Sequence, residues 1–466
     1  MAKLHEEGGG KELKRELGLA AATAIVIGNT IGSGIFMAPQ QMAAASNPKA
    51  TIVAWIITAI GSILIALSFA NLGSAMPRTG GPIVYTRAAF GDFPAFLIAW
   101  TYWIGAWVGN AAIITGFMRY FSNLVPAAGN GVVAFIICSA VLWIFTIINV
   151  RGVKQAGIVS IVTTVLKILP LIVFVIIALI HFNPEFVNTV SSNKVSGWGT
   201  LPAGVAIALW AFVGIESATV PAGEVKDPQR TIKLSTIFGT VITAIIYIII
   251  SIVAMGAMKQ ADLANSNAPL ADIINAATGA KWGGTFIALG AVISTLGATS
   301  GWILTTARSA YAGAEDKLFP SAFGRLHPKY KTPSFSLIIS GVLANLLLIM
   351  NYVSGLQKGF DFMILLATLA FLPAYSFTAA AEIILFVKHD KRFNLWNFLK
   401  NSFISLLAFA YSIYAIYGTG SETVMYGFLL MLVGIPFYLY MMLENNKKDR
   451  GVEKLRKDAG LQSLEK

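Results

Sequence analysis

Twelve apolar stretches, each of roughly 20 residues or more, dominate this chain, near 19–39, 51–76, 93–121, 131–150, 156–181, 199–222, 231–258, 283–312, 334–352, 360–387, 401–418 and 421–442. A helix needs about 20 apolar residues to cross about 30 Å of hydrocarbon. In lipid a spanning segment of this length must satisfy its backbone groups internally, which only a helix does. Charged residues make up 12% of the chain, against roughly 25% in soluble domains. The expected fold is therefore an all-α integral membrane bundle of 12 transmembrane helices.

Two spans are broken by small residues at matching depth. The first reads Gly28-Asn29-Thr30-Ile31-Gly32-Ser33-Gly34-Ile35-Phe36 and the second Trp210-Ala211-Phe212-Val213-Gly214-Ile215-Glu216-Ser217-Ala218, with 182 positions from Gly32 to Gly214. A break frees backbone N–H and C=O groups at several kcal/mol each in hydrocarbon, so it survives only where other groups satisfy it around a cavity. Paired breaks in two halves point to the substrate site of a secondary transporter. Placing them in spans 1 and 6 divides the chain into a cytosolic tail (1–18), a first five-helix repeat (19–181), a second (199–387), helices 11 and 12 (401–442) and a cytosolic C-terminal tail (443–466). An odd number of spans per repeat forces the second copy to enter from the opposite side, giving a five-plus-five inverted repeat with discontinuous helices 1 and 6. Helices 11 and 12 fall outside it, at the periphery or in a homodimer contact.

The net charge of +12 is a topology signal. One face receives 27 of the 34 Lys and Arg, the other receives six, and Lys167 lies within a span. By the positive-inside rule both termini are expected in the cytoplasm, and the basic excess implies a bilayer and no nucleic acid. Residues 1–18 carry no signal-peptide pattern. Cys138 is the one cysteine and falls in span 4 as an apolar filler. With four histidines, no phosphate-cradling loop and no nucleophile–base set, the expectation is no metal, no cofactor and no enzyme. Transport would run on gradients or exchange.

Several residues carry the chemistry. The N–H groups of Ile31, Gly32, Ser33 and Gly34, beside a half-helix N-terminus, suit a carboxylate; carbonyls near Trp210 and Ala211 suit an ammonium. Gly32 and Gly34 also serve close helix packing in the simpler reading. Glu216, within a span, is a candidate gate or proton-linked carboxylate; its plainer role is structural. Lys167 is the lysine deepest within a span, and its ammonium can stand where a sodium ion would sit. Trp210 precedes the second break and would lid the cavity, while Trp302 would present a ring face to a cation or aliphatic stem. Tyr102 and Asn110 share one helix face; Asn110 needs a partner, either substrate or another helix.

Together these residues resemble the amino acid–polyamine–organocation superfamily from Leu17 to about Met442. The likeness is greatest to its basic amino acid/polyamine antiporters, such as the arginine/agmatine, ornithine/putrescine and lysine/cadaverine exchangers. Leu209–Ala218, Ile27–Phe36, Tyr102–Asn110, Gly223–Arg230 and Tyr411–Tyr417 carry the likeness. It implies that Asn29, Ser33 and Gly34 hold the α-carboxylate and amino group, with Ile31 and Val213 at the same two breaks. Trp210 closes over the substrate, Trp302 meets its stem, and Gly105, Ala106 and Asn110 meet its polar end. Glu216 and Tyr102 are gate elements. Two departures bear on the substrate. Alignment on Pro373 puts Leu366 where the arginine/agmatine exchanger has a serine, with Thr368 two positions on. Lys167 is similar to the fifth-helix lysine of proton-coupled and L-amino-acid exchangers.

The resulting expectation is sodium-independent exchange of a basic amino acid for its decarboxylated amine, or for another amino acid, by alternating access across a bacterial plasma membrane. Exchange of an amino acid for its amine exports one positive charge per cycle. The alternative is a proton-coupled or obligatory exchanger of small neutral amino acids. A non-translocating sensor would want a soluble signalling domain, and a channel a ring of charges or a carbonyl filter; the sequence offers neither.

Overall fold

The computed structural model describes residues 13–188, 197–266, 268–280, 282–352, 367, 369–389 and 394–458. Span 1 is two helices, α1 (Leu19–Thr30) and α2 (Gly34–Ala45), separated at Ile31–Ser33. Then follow α3 (Pro48–Ala75), the short α4 (Pro82–Phe90), α5 (Asp92–Leu124), α6 (Gly131–Arg151), α7 (Val153–Ile180) and α8 (Pro184–Asn188). The second half comprises α9 (Leu201–Ala211), α10 (Pro228–Ala257), α11 (Gln260–Ala264), α12 (Pro269–Thr278), α13 (Trp282–Glu315) and α14 (Ser334–Tyr352). The chain continues through α15 (Leu372–His389), α16 (Leu395–Gly418) and α17 (Ser421–Asp458).

Local chemistry sets many of these boundaries. Proline opens α3, α4, α10 and α12 at a position where its missing N–H costs nothing. Asn47, Asn130 and Asn394 cap α3, α6 and α16, each side chain accepting from an N–H of the first turn.

Among the described residues, ten helical segments are long and apolar enough to cross a membrane. Two of the twelve expected spans are not among them. Span 6, expected over 199–222, is a shorter apolar helix, Trp198–Ala211, and the chain from Phe212 to Pro221 runs in turns. For span 10, expected over 360–387, the described helix is Leu372–His389. Leu366 and Thr368 lie outside the described residues.

The core forms around α13, where Gly297 through Gly313 are all buried. It packs against α5 and α7, while α10 packs against α3 and α1. Span 2 thus meets span 7 and span 3 meets span 8. Outward faces of α6, α7, α16 and α17 expose large apolar side chains such as Ile136, Leu169, Phe403 and Phe428, as contact with hydrocarbon requires.

Candidate functional site

The two breaks touch each other. Gly214 has φ +117°, a conformation glycine adopts at little cost, and a Cβ there would stand 3.0 Å from the carbonyl carbon of Asn29. Asn29 Nδ2 donates to Ser217 Oγ at 2.8 Å and to Thr305 Oγ1 at 3.2 Å. Glycine thus lets backbone approach backbone where the half-helices end.

Every carbonyl from Gly28 to Gly32 has a donor. Lys167 Nζ, fully buried on α7, donates to Gly28 O at 3.1 Å, to Ile31 O at 2.6 Å and to Ser294 O at 3.4 Å. Ser294 Oγ bonds Ile31 O and Gly32 O at 2.9 and 3.0 Å. Trp302 Nε1 donates to Asn29 O at 3.1 Å, and Tyr247 Oη to Thr30 O at 2.6 Å. Four side chains from α7, α10 and α13 replace the helical bonds that the break removes, as buried backbone demands. Tyr247 Oη also bonds Ala211 O at 3.1 Å, and Val213 N–H bonds Trp210 O. Trp210 O, expected to meet an ammonium, therefore has one lone pair engaged, while Ala211 O shares the single Tyr247 proton with Thr30 O. The first N–H groups of α2, from Ser33 onward, have no acceptor within the helix.

Those groups border a cavity lined by Asn29, Gly32, Ser33, Gly34, Gly109, Ile113, Trp210, Val213, Trp302 and Phe371, with Thr30 and Ala211. About 50 Å³ of it is open to water-sized molecules, room for roughly three or four waters, so an amino acid enters only if its walls part. Ser33, Gly34, Ile113 and Trp210 are half-buried, whereas Asn29, Trp302 and Phe371 are buried. Phe371 is the hub of the closed end: its ring centroid lies 5.1 Å from Tyr102, 5.2 Å from Trp302 and 6.5 Å from Trp210.

Behind Phe371 sits Glu216, fully buried. Its Oε1 accepts from Tyr102 Oη at 2.7 Å and its Oε2 from Tyr375 Oη at 2.7 Å; Gly214 N–H lies 3.2 Å from Oε2. One carboxylate thereby ties α5, the span 6 turn run and α15 together. Further toward the face that carries the extended segment 13–18, which meets Val225 through a single β-bridge at Leu17, ion pairs join the elements. Arg308 forks onto Glu224 at 2.8 and 3.0 Å, both buried. Arg78 and Arg87 meet Asp316 at 2.9 and 2.6 Å. Burial opposes the charge on Arg87, but the carboxylates of Asp92 and Asp316 outweigh it and raise its pKa. Lys226 N–H and Leu17 O bond across the same face at 2.8 Å.

Most of the residues singled out in the sequence gather here: Asn29, Ser33, Gly34, Trp210, Val213 and Trp302 on the cavity, with Tyr102, Glu216 and Lys167 just behind it. Four do not line it. The Ile31 side chain is fully buried in the core, and only its carbonyl serves the break. Gly105 backs onto Ala370 and Phe371, and Ala106 is buried within the α5 interface. Asn110 Nδ2 donates to Thr306 Oγ1 at 3.0 Å, so its partner is another helix. The sequence reading missed Gly109, Ile113 and Phe371 on the cavity, and Tyr247, Ser294 and Tyr375 behind it. A hydroxyl in an otherwise apolar span marks the last three; Phe371 has only the nearby Pro373, which marks the start of α15.

A family model described as "Amino acid permease" matches residues 17–442. The chain is similar to an arginine/ornithine antiporter of Lactococcus lactis subsp. cremoris, 31% identical over 470 residues, covering 95% of this chain and 86% of the relative. It is similar to an arginine/ornithine antiporter of Pseudomonas aeruginosa at 31% identity, with 91% and 90% covered. An arginine/agmatine antiporter of Chlamydia abortus is 32% identical, with 92% and 90% covered.

Proposed function

This chain belongs to the amino acid permease family, and from that premise we propose that it exchanges arginine or a related basic amino acid for ornithine, agmatine or another such amine. The relatives are antiporters, so the site's task is binding and passage and not catalysis. The observation that carries the reading is the cavity where two broken helices meet under three aromatic rings.

The substrate's carboxylate lies on the N–H groups that open α2, at Ser33 and Gly34, where the helix dipole favours an anion. Its ammonium meets the remaining lone pairs of Trp210 and Ala211 O. Among the described residues the cavity lining contains no acidic side chain, so a cationic side-chain end relies on the faces of Trp210, Trp302 and Phe371, each such contact being worth about 0.5–2 kcal/mol. Lys167 supplies the fixed positive charge beside the α1 break, which makes the exchange independent of sodium. Trp210 closes the half-exposed side, and the Tyr102–Glu216–Tyr375 set opens the other. The pairing of span 2 with span 7 and of span 3 with span 8 supports an inverted repeat. The charge distribution supports a cytoplasmic location for the N-terminal face.

Uptake of labelled arginine into proteoliposomes tests the reading. Uptake is expected only into vesicles preloaded with ornithine, agmatine or arginine, and equally with or without sodium. Preference for alanine or serine, or uptake into empty vesicles driven by a proton gradient, would move the chain to neutral-amino-acid transport, which the absence of carboxylates among the described lining residues accommodates.

A further inference from the structure

A second cavity lies outside the transport path, between the first half of α5, α17 and the segment that leads from α13 into α14. Its space is about 490 Å³, nearly ten times that of the substrate cavity. Phe96, Trp100, Trp103, Phe319, Phe437 and Tyr440 form its walls, with Pro436 and Met441. The ring nitrogens of its two tryptophans are engaged elsewhere: Trp100 Nε1 donates to Leu430 O at 3.0 Å and Trp103 Nε1 to Ser340 Oγ at 3.0 Å. What remains toward the groove is aromatic and aliphatic surface, which water does not favour.

The groove's surroundings identify its occupant. Both helical walls belong to segments long and apolar enough to span a membrane, and α17 exposes Phe428, Val433, Phe437 and Tyr440. The medium at its opening is therefore lipid hydrocarbon. Its polar end is on the lysine- and arginine-rich face. Asn445 Nδ2 donates to Lys317 O at 2.8 Å, one turn beyond Met441. Lys317, next in the chain to the wall residue Leu318, and Lys447, two residues beyond Asn445, are exposed, with Arg325 further along the same connecting segment; Glu315 and Glu444 stand beside them in sequence. An apolar groove with lysines near one end matches a lipid that is apolar along its length and negative at one end.

We propose that this groove binds one anionic phospholipid, an acyl chain lying against Trp100, Trp103 and Phe437 and the phosphate held by Lys317 and Lys447. The site is independent of the transported substrate. It reaches the transport machinery through the chain itself, because the wall residues Leu318 and Phe319 directly follow Asp316, the partner of Arg78 and Arg87.

The test uses the full chain in phosphatidylcholine vesicles containing a small fraction of either brominated phosphatidylglycerol or brominated phosphatidylcholine. Bromine quenches tryptophan on contact, and the difference between the protein and its Trp100→Phe/Trp103→Phe variant isolates the groove. Quenching of that component is expected to favour brominated phosphatidylglycerol, and each of Lys317→Gln and Lys447→Gln should lower the preference about fivefold, from about 1 kcal/mol per basic residue. Both variants should keep basal exchange, which shows that they fold. Equal quenching by the two lipids, or a preference that survives removal of both lysines, reduces the groove to ordinary annular contact and overturns the proposal. Absence of quenching by either lipid, together with a dimer in chemical cross-linking, would assign the groove to a second copy and overturn it equally.

Discussion

Lys167→Met and Ser294→Ala, made singly and together, probe how the α1 break is held. Lys167 Nζ serves Gly28 O at 3.1 Å and Ile31 O at 2.6 Å, while Ser294 Oγ serves Ile31 O at 2.9 Å and Gly32 O at 3.0 Å. Gly28 O has lost its helical donor because Gly32 N–H turns to Thr30 O, and Gly32 precedes the cap of α2. Ser294 has one hydroxyl proton for two carbonyls, so Lys167→Met leaves Gly28 O and one of Ile31 O and Gly32 O without a donor, whereas Ser294→Ala leaves only Gly32 O, because Lys167 still serves Ile31 O. A buried carbonyl without a partner costs about 1–3 kcal/mol, about 5–150-fold in an equilibrium constant. The double change leaves Gly28 O, Ile31 O and Gly32 O all without a donor, which is the sum of the two single losses. Its effect should therefore equal the sum of the singles to within about 0.5 kcal/mol. The desolvation cost relieved by removing the buried ammonium offsets part of the Lys167 effect, but it occurs in single and double alike and leaves the additivity untouched. The assay is calorimetric affinity for the best-bound amino acid of the uptake series, on variants shown to be monodisperse. A departure from additivity larger than about 1 kcal/mol would refute the carbonyl accounting.

Tyr375→Phe and Tyr102→Phe each remove one 2.7 Å bond to Glu216, and exchange rates should change by the equivalent of about 1.5–3 kcal/mol, measured as initial uptake. Glu216→Gln should flatten the dependence of exchange on pH between about 5 and about 8 while leaving expression intact; an unchanged profile in proteoliposomes removes Glu216 from any proton-linked step. Gly214→Ala meets Asn29 backbone at 3.0 Å in a left-handed conformation, whereas Gly34→Ala meets Ala211 at an ordinary 3.6 Å. The first should lower thermal stability by at least about 1 kcal/mol; the second should weaken substrate affinity while its melting temperature holds. Asp316→Asn removes the shared partner of Arg78 and Arg87, two half-solvated guanidiniums, so closure of that face should weaken by only about 1 kcal/mol. The readout is faster thiol labelling of a cysteine placed at Ala312, where Gly80 packs.

Much of the architecture is legible because hydrocarbon imposes one rule on every span. Runs of apolar residues about 20 long become helices, and prolines and asparagines mark their starts, as Asn47-Pro48 does for α3. The broken helices are legible for the same reason: glycine-rich interruptions at Gly28–Gly34 and at Gly214 are costly in lipid and persist only where a site needs them. Span 6 shows the limit. Its apolar run continues to residue 222, yet helix stops at Ala211, because Gly214 takes φ +117° to reach Asn29 across the molecule. Hydropathy records the medium and not the backbone path.

Lys167, Glu216, Trp210, Trp302 and the two breaks could be singled out from the chain alone, since a charge in a span or a glycine-rich break within one is expensive and so informative. Which neighbours they meet depends on packing between residues far apart in the sequence. That packing turned Asn110 toward Thr306, set Phe371 over Tyr102 and Trp302, and paired Glu216 with Tyr375. Sequence determines the cost of each buried polar group; tertiary structure decides who pays it back, because a hydrogen bond depends on a separation of about 3 Å that only the folded bundle provides.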